Sequence, residues 1–128
     1  MNEQTYQPSE AELEILQIIW ALEPVSVRDI YERVALRKDV GYTTVLKQVQ
    51  RLTEKGALEK DSAGSGHLYR STVRQADVRQ HLVSKVLQNA FGGSAFELVV
   101  HALGSEKMAL DDLQKLKEWL DNQIDNAE

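Results

Sequence analysis

A chain of 128 residues with no cysteine, two prolines and 42% hydrophobic residues has the length of one modest domain and enough apolar mass for a packed interior. The lack of cysteine excludes disulfides, thiolate zinc sites and cysteine nucleophiles, and His67, His81 and His101 match no short metal-binding spacing, so neither a metal nor another cofactor is expected. No apolar run approaches the ~18–20 residues that span a bilayer, and the first residues carry acids where a secretory signal needs bases, which makes a cytoplasmic protein without membrane insertion the expectation.

The first helix is expected to start at Ser9, because Ser9 and Glu12 have the spacing of a capping box and Leu13, Leu16, Ile19 and Trp20 recur at helical period. Ile15, Ile18 and Leu22 widen the stripe and place this helix at the centre of the core, and Glu23 and Pro24 end it. Ser26 caps a second helix with Val27, Ile30, Tyr31 and Val34 inward, while Val25 has room only for a very short strand pairing. After a polar turn from Arg37 to Gly41, a third helix carries Val45, Val49 and Leu52 at i, i+4 and i+7, with Thr43 as its expected N-cap and Gly56 as its stop. The period then falls to two. Leu58 to Lys60 and Leu68 to Arg70 read as a hairpin turned by Gly64, Ser65 and Gly66, and so short a ribbon must lie against the helices to persist.

The second half reads as helical throughout. A long helix is expected from about Asp77 to Phe91, broken by Gly92 and Gly93. A short one follows from Phe96 to Leu103, capped by Ser94 and ended by Gly104, and a last one starts near Ala109 with Leu113, Leu116, Leu120 and Ile124 in its stripe. Three such stripes exceed what the segment can hide by itself. A second copy of the chain is therefore expected to cover Leu82, Val86, Phe91, Phe96, Val99, Val100, Leu103, Leu113, Leu116 and Leu120, the competing arrangement being a small bundle within one chain. The expected organisation is two domains, 1–75 and 76–128.

Three helices followed by a glycine-turned hairpin is the element order of a winged helix, so the fold class is mostly α, a winged helix-turn-helix with a C-terminal helical dimerisation region. In such a module the third helix enters the major groove. Thr44, Lys47, Gln48 and Arg51 lie away from the Val45, Val49, Leu52 stripe: Lys47 and Arg51 suit guanine or phosphate, Gln48 suits adenine, and Thr44 offers a methyl to thymine or a hydroxyl to phosphate. Tyr42 has two readings, packing over the turn or giving its hydroxyl to a phosphate. Lys60, His67 and Arg70 of the hairpin are placed to reach the flanking backbone or the minor groove.

The net charge of −5 opposes a nucleic-acid partner, but residues 37–74 hold eight basic against four acidic side chains, and residues 76–128 hold five against nine. A phosphate backbone can be met by the first segment while the second stays away from it, the competing reading being charge scattered over a solvated surface. His81 reads as a polar surface or interface residue and His101 as half-buried. No nucleophile and base stand in a catalytic arrangement, so an enzyme is not expected. Two functions remain: a dimeric regulator on a two-fold site in double-stranded DNA, or a winged helix used as a protein-interaction or assembly module.

The runs AELEILQIIWAL, VSVRDIYERV, GYTTVLKQVQRLTEKGALEKD, FGGSAFELVVHAL and ALDDLQKLKEWL together resemble the penicillinase-repressor family of bacterial winged-helix regulators, over roughly residues 9–124. The resemblance implies a homodimeric transcriptional repressor on palindromic operator DNA, with Tyr42, Thr43, Thr44, Lys47, Gln48 and Arg51 at the DNA and residues 77–124 forming the dimer. For family members that govern beta-lactam resistance it also implies a membrane sensor-protease system that triggers cleavage in the dimerisation region, here near Val99, Val100 and His101. The chain departs from the family pattern at Gly64, Ser65, Gly66 and His67, where a glycine-arginine pair is common, which puts wing contact to phosphate on His67 or weakens it. It also departs at Met108 and Ala109, where a leucine-serine cap is usual; an alanine cap is weaker by about 1 kcal/mol. Without the cysteine-rich tail of copper-responsive relatives, copper sensing is not implied.

Overall fold

Ser9 Oγ accepts the amide of Glu12 at 3.2 Å and the Glu12 carboxylate accepts the amide of Ser9 at 3.0 Å, so the expected capping box starts α1 (Glu10–Leu22). The structure is a computed structural model that describes residues 7–61 and 66–127. Ser26 Oγ accepts the Asp29 amide and starts α2 (Val27–Ala35), followed by α3 (Tyr42–Glu54), β1 (Leu58–Asp61), β2 (Leu68–Ser71), α4 (Gln75–Phe91), α5 (Ala95–Ser105) and α6 (Leu110–Asp125).

The stripes of the first three helices meet. Ile15, Leu16 and Ile19 of α1, Ile30 and Val34 of α2, and Val45, Val49 and Leu52 of α3 are buried together, with Leu58 and Tyr69 closing the core from the hairpin. Each such side chain contributes roughly 1.5–3 kcal/mol by leaving water. The hairpin is antiparallel, with Leu58 opposite Ser71 and Lys60 opposite Tyr69. Val25 adds the expected short strand: its amide donates to the Tyr69 carbonyl at 3.0 Å and its carbonyl accepts the Tyr69 amide at 2.8 Å. Trp20 Nε1 donates to the Val73 carbonyl at 3.1 Å, so the residues after the hairpin are tied to α1.

Gly56 ends α3 as expected. Its φ of 84° is a left-handed conformation that suits glycine, and it lets the Ala57 amide reach back to the Leu52 carbonyl at 3.0 Å. Other boundaries differ from expectation. The N-cap of α3 is Gly41, not Thr43, which lies inside the first turn. The helix after the hairpin begins at Gln75 rather than Asp77, and α5 runs through Gly104 to Ser105. One glycine costs a helix only about 1 kcal/mol relative to alanine, too little to end it without a turn conformation beyond. The last helix starts at Leu110, with Ala109 as an N-cap that makes no side-chain hydrogen bond, as its sequence suggests.

The chain divides into two compact units between Ser84 and Lys85, within α4. Val78, only 3% exposed, places the start of α4 with the first unit. In the second unit α5 and α6 bury no residue, and Phe96 and Ile124 are 73% and 68% exposed, so these helices do not close a bundle by themselves. The hairpin turn expected at Gly64 and Ser65 lies outside the described residues.

Candidate nucleic-acid interface

With Val45, Val49 and Leu52 drawn into the core, the rotation of an α-helix decides what α3 shows to solvent. At about 100° per residue, Lys47 falls nearly opposite the centre of the stripe, with Thr44 and Arg51 beside it. All three are exposed, as are Tyr42 and Thr43. Gln48 falls only about 70° from the centre of the stripe and is half-buried, so it belongs to the margin of the face rather than its middle. Gln50, which the sequence reading did not single out, is also exposed on α3. Gly41 has no side chain to cap α3, so among the described residues the first-turn amides receive no capping side chain, and the positive end of the helix dipole lies beside Thr43 and Thr44.

Tyr42 packs, and does so against α2. Its ring meets Tyr31 edge-on, with centroids 5.7 Å apart and planes at 75°, and the Arg28 guanidinium lies 5.4 Å from its centroid. Arg28 was not among the expected site residues. Nothing local in the sequence joins positions 28 and 42; only the packing of α2 on α3 does. Nearby, burial holds the Tyr69 hydroxyl above its ordinary pKa of 10.0, and the charge of Tyr42 adds to the effect.

The hairpin splits its expected contacts. Cross-strand partners share a face, so Lys60 lies on the side of Tyr69 while Arg70 lies with Glu59 on the other. Lys60 and His67 are exposed, whereas Arg70 is half-buried and pairs with Asp61 at 3.4 Å.

Ion pairing also redistributes the basic excess of residues 37–74. Arg37 and Lys38 both reach Glu14 at 2.9 Å, Lys55 reaches the buried Glu12 at 2.8 Å, and Arg70 is engaged with Asp61. The Lys38 hydrogen bond is the main reason the Glu14 carboxyl sits below its ordinary pKa of 4.5, partial burial opposing and Arg37 assisting. Among the described residues, Lys47, Arg51 and Lys60 pair with no carboxylate. The cations left over are therefore those of the α3 face and one side of the hairpin.

The apolar positions of the second half are mostly open. Val86, Phe96, Val99, Val100, Leu103, Leu113 and Leu120 are exposed, and Leu82, Phe91 and Leu116 are half-buried. Val99, Val100 and His101 lie in the middle of α5. His101 is exposed rather than half-buried: its Nδ1 lies 2.9 Å from the Glu97 carbonyl and its ring 5.4 Å from that of Phe91. His81 is half-buried, and its Nε2 has no hydrogen-bond partner among the described residues. Among those residues no helix is long and apolar enough to cross a membrane.

A third helix braced by a second, with its cations free and a hairpin beside it, defines a winged helix-turn-helix regulator of transcription. The penicillinase repressor model matches residues 8–122, and the chain belongs to that family of DNA-binding repressors. It is 26% identical over 120 residues to the methicillin resistance regulatory protein MecI of Staphylococcus aureus strain N315, covering 94% of this chain and 98% of that protein. To the penicillinase repressor of Bacillus licheniformis it is 21% identical over 115 residues, 90% of each chain. The fold is shared with the PcaV transcriptional regulator of Streptomyces coelicolor, at a TM-score of 0.51 and 21% identity over 95% of this chain and 78% of that one. These relatives are named as regulators and repressors, not as enzymes.

Proposed function

We propose that this repressor acts as a homodimer on a two-fold symmetric operator, each subunit laying α3 in the major groove and the hairpin along the flanking backbone. The carrying observation is the α3 face, where exposed Lys47 and Arg51 have no carboxylate partner among the described residues while Thr44 and Gln48 offer groups suited to base edges. The open apolar sides of α5 and α6 support the dimer, since a second copy covers the same residues by the same contacts. Half-site centres then lie about 34–36 Å apart, one turn of DNA. By resemblance to family members that govern beta-lactam resistance, the same proposal includes inactivation through a membrane sensor-protease system, with cleavage near Val99, Val100 and His101.

The test is a salt titration of binding to duplexes from the promoter upstream of its own gene, beside a scrambled duplex. Affinity that favours the promoter and falls steeply with salt is expected. Equal affinity for both duplexes at every salt concentration overturns the operator reading.

A further inference from the structure

Helix α2 carries a cation that its own helix does not explain. Arg28 is the second residue of α2 (Val27–Ala35), at the end where the peptide dipoles disfavour a positive charge. Asp29 stands beside it and Glu32 one turn on, yet among the described residues no carboxylate pairs with Arg28. Its guanidinium instead lies over the ring of Tyr42, and Tyr31 fixes that ring edge-on. Tyr42 is the first residue of α3, so a planar cation is held against the start of the helix that presents Thr44, Lys47 and Arg51.

We propose that Arg28 is a further DNA-binding residue of this repressor, its guanidinium steered by the Tyr42 ring onto a backbone phosphate beside the bases that α3 reads. The inference rests on the operator reading above. Phosphate is favoured over a base because Arg28 belongs to the bracing helix, outside the groove, and because a planar fork of donors matches two phosphate oxygens. A lysine would supply charge at this place without the flat face that stacks on Tyr42.

The full chain, with Arg28→Gln and Arg28→Met beside it, is titrated at several salt concentrations with the tightest duplex recovered by selection from random DNA and with a scrambled duplex. Both variants are expected to bind about tenfold more weakly, by the same factor on both duplexes, with the log–log salt slope smaller by about 0.9. Lost packing alone lowers affinity without changing that slope. Unchanged affinity and slope, or an altered base preference at an unchanged slope, overturns the proposal. Arg28→Met keeps an apolar contact with the Tyr42 ring and decides the matter if Arg28→Gln loses its wild-type thermal transition. Arg51→Ala separates the two readings. If it loses binding while both Arg28 variants do not, Arg28 alone is ruled out; if it binds as the wild type does, the α3 reading fails and this proposal with it.

Discussion

Leu16, Ile19, Ile30, Val45, Val49 and Leu52 have no accessible surface, whereas α5 and α6, with stripes just as regular, bury nothing. Helical spacing is thus the same in both regions, and only its consequence differs. In the first unit three helices and a hairpin face one another, so each stripe finds cover within the chain. In the second, Val99, Val100, Leu103, Leu113 and Leu120 remain in water, each forgoing about 25 cal/mol for every Å² of apolar area left open. Periodicity reports which face of a helix seeks cover; it does not report whether that cover comes from the same chain.

The contrast can be broken most forcefully in the first unit. Leu52→Ala is expected to cost about 2–5 kcal/mol, measured by urea unfolding, because it empties a site that nothing nearby can refill. The counterpart in the second unit is Val100→Lys with Leu120→Lys. Here the unfolding of the first unit should hold, while in the proposed dimer the association constant measured by sedimentation is expected to weaken about 100-fold, near 3 kcal/mol. A double variant that stays dimeric would mean these faces are not the ones covered. Arg51→Ala, at a site exposed in the first unit, should lower operator affinity by about 1–3 kcal/mol and leave urea unfolding unchanged.

The smallest effect is electrostatic. Because the folded Glu14 carboxyl titrates below 4.5, its contribution to stability is present above that pH and is lost as pH falls through the lower folded value. Arg37 and Lys38 are more than half exposed, so the contribution is below about 1 kcal/mol. Glu14→Gln should flatten that part of the acid limb of stability against pH, and an unaltered limb would remove the ion pair from the account.

Local grammar explains why much of the first unit was legible in the residues. Ser9 with Glu12, Ser26, and Gly56 each act within a few positions, and all three perform as their spacing suggests. Thr43 did not, because Gly41 allowed α3 to start before the hydroxyl that looked like its cap. Gly104 looked like a stop but is helical, whereas Gly92 and Gly93 do break the chain, with φ of 56° and 88°. The difference lies in backbone conformation, which residue type alone does not specify. Within the site, Lys47 and Arg51 followed from helix rotation. The separation of Lys60 from Arg70 required the strand register, and the stacking of Arg28 on Tyr42 required the docking of α2 on α3.

The chain's two tryptophans fall one in each unit. Trp20 is half-buried with its indole N–H bonded to Val73, while Trp119 is 56% exposed on α6. They are therefore built-in fluorophores with separate subjects. Trp119→Phe leaves emission that follows the tether between α1 and the residues behind the hairpin. Trp20→Phe leaves the emission of Trp119, which is expected to shift to the blue on association in the proposed dimer if α6 is the face covered, so dilution becomes a spectroscopic test of assembly.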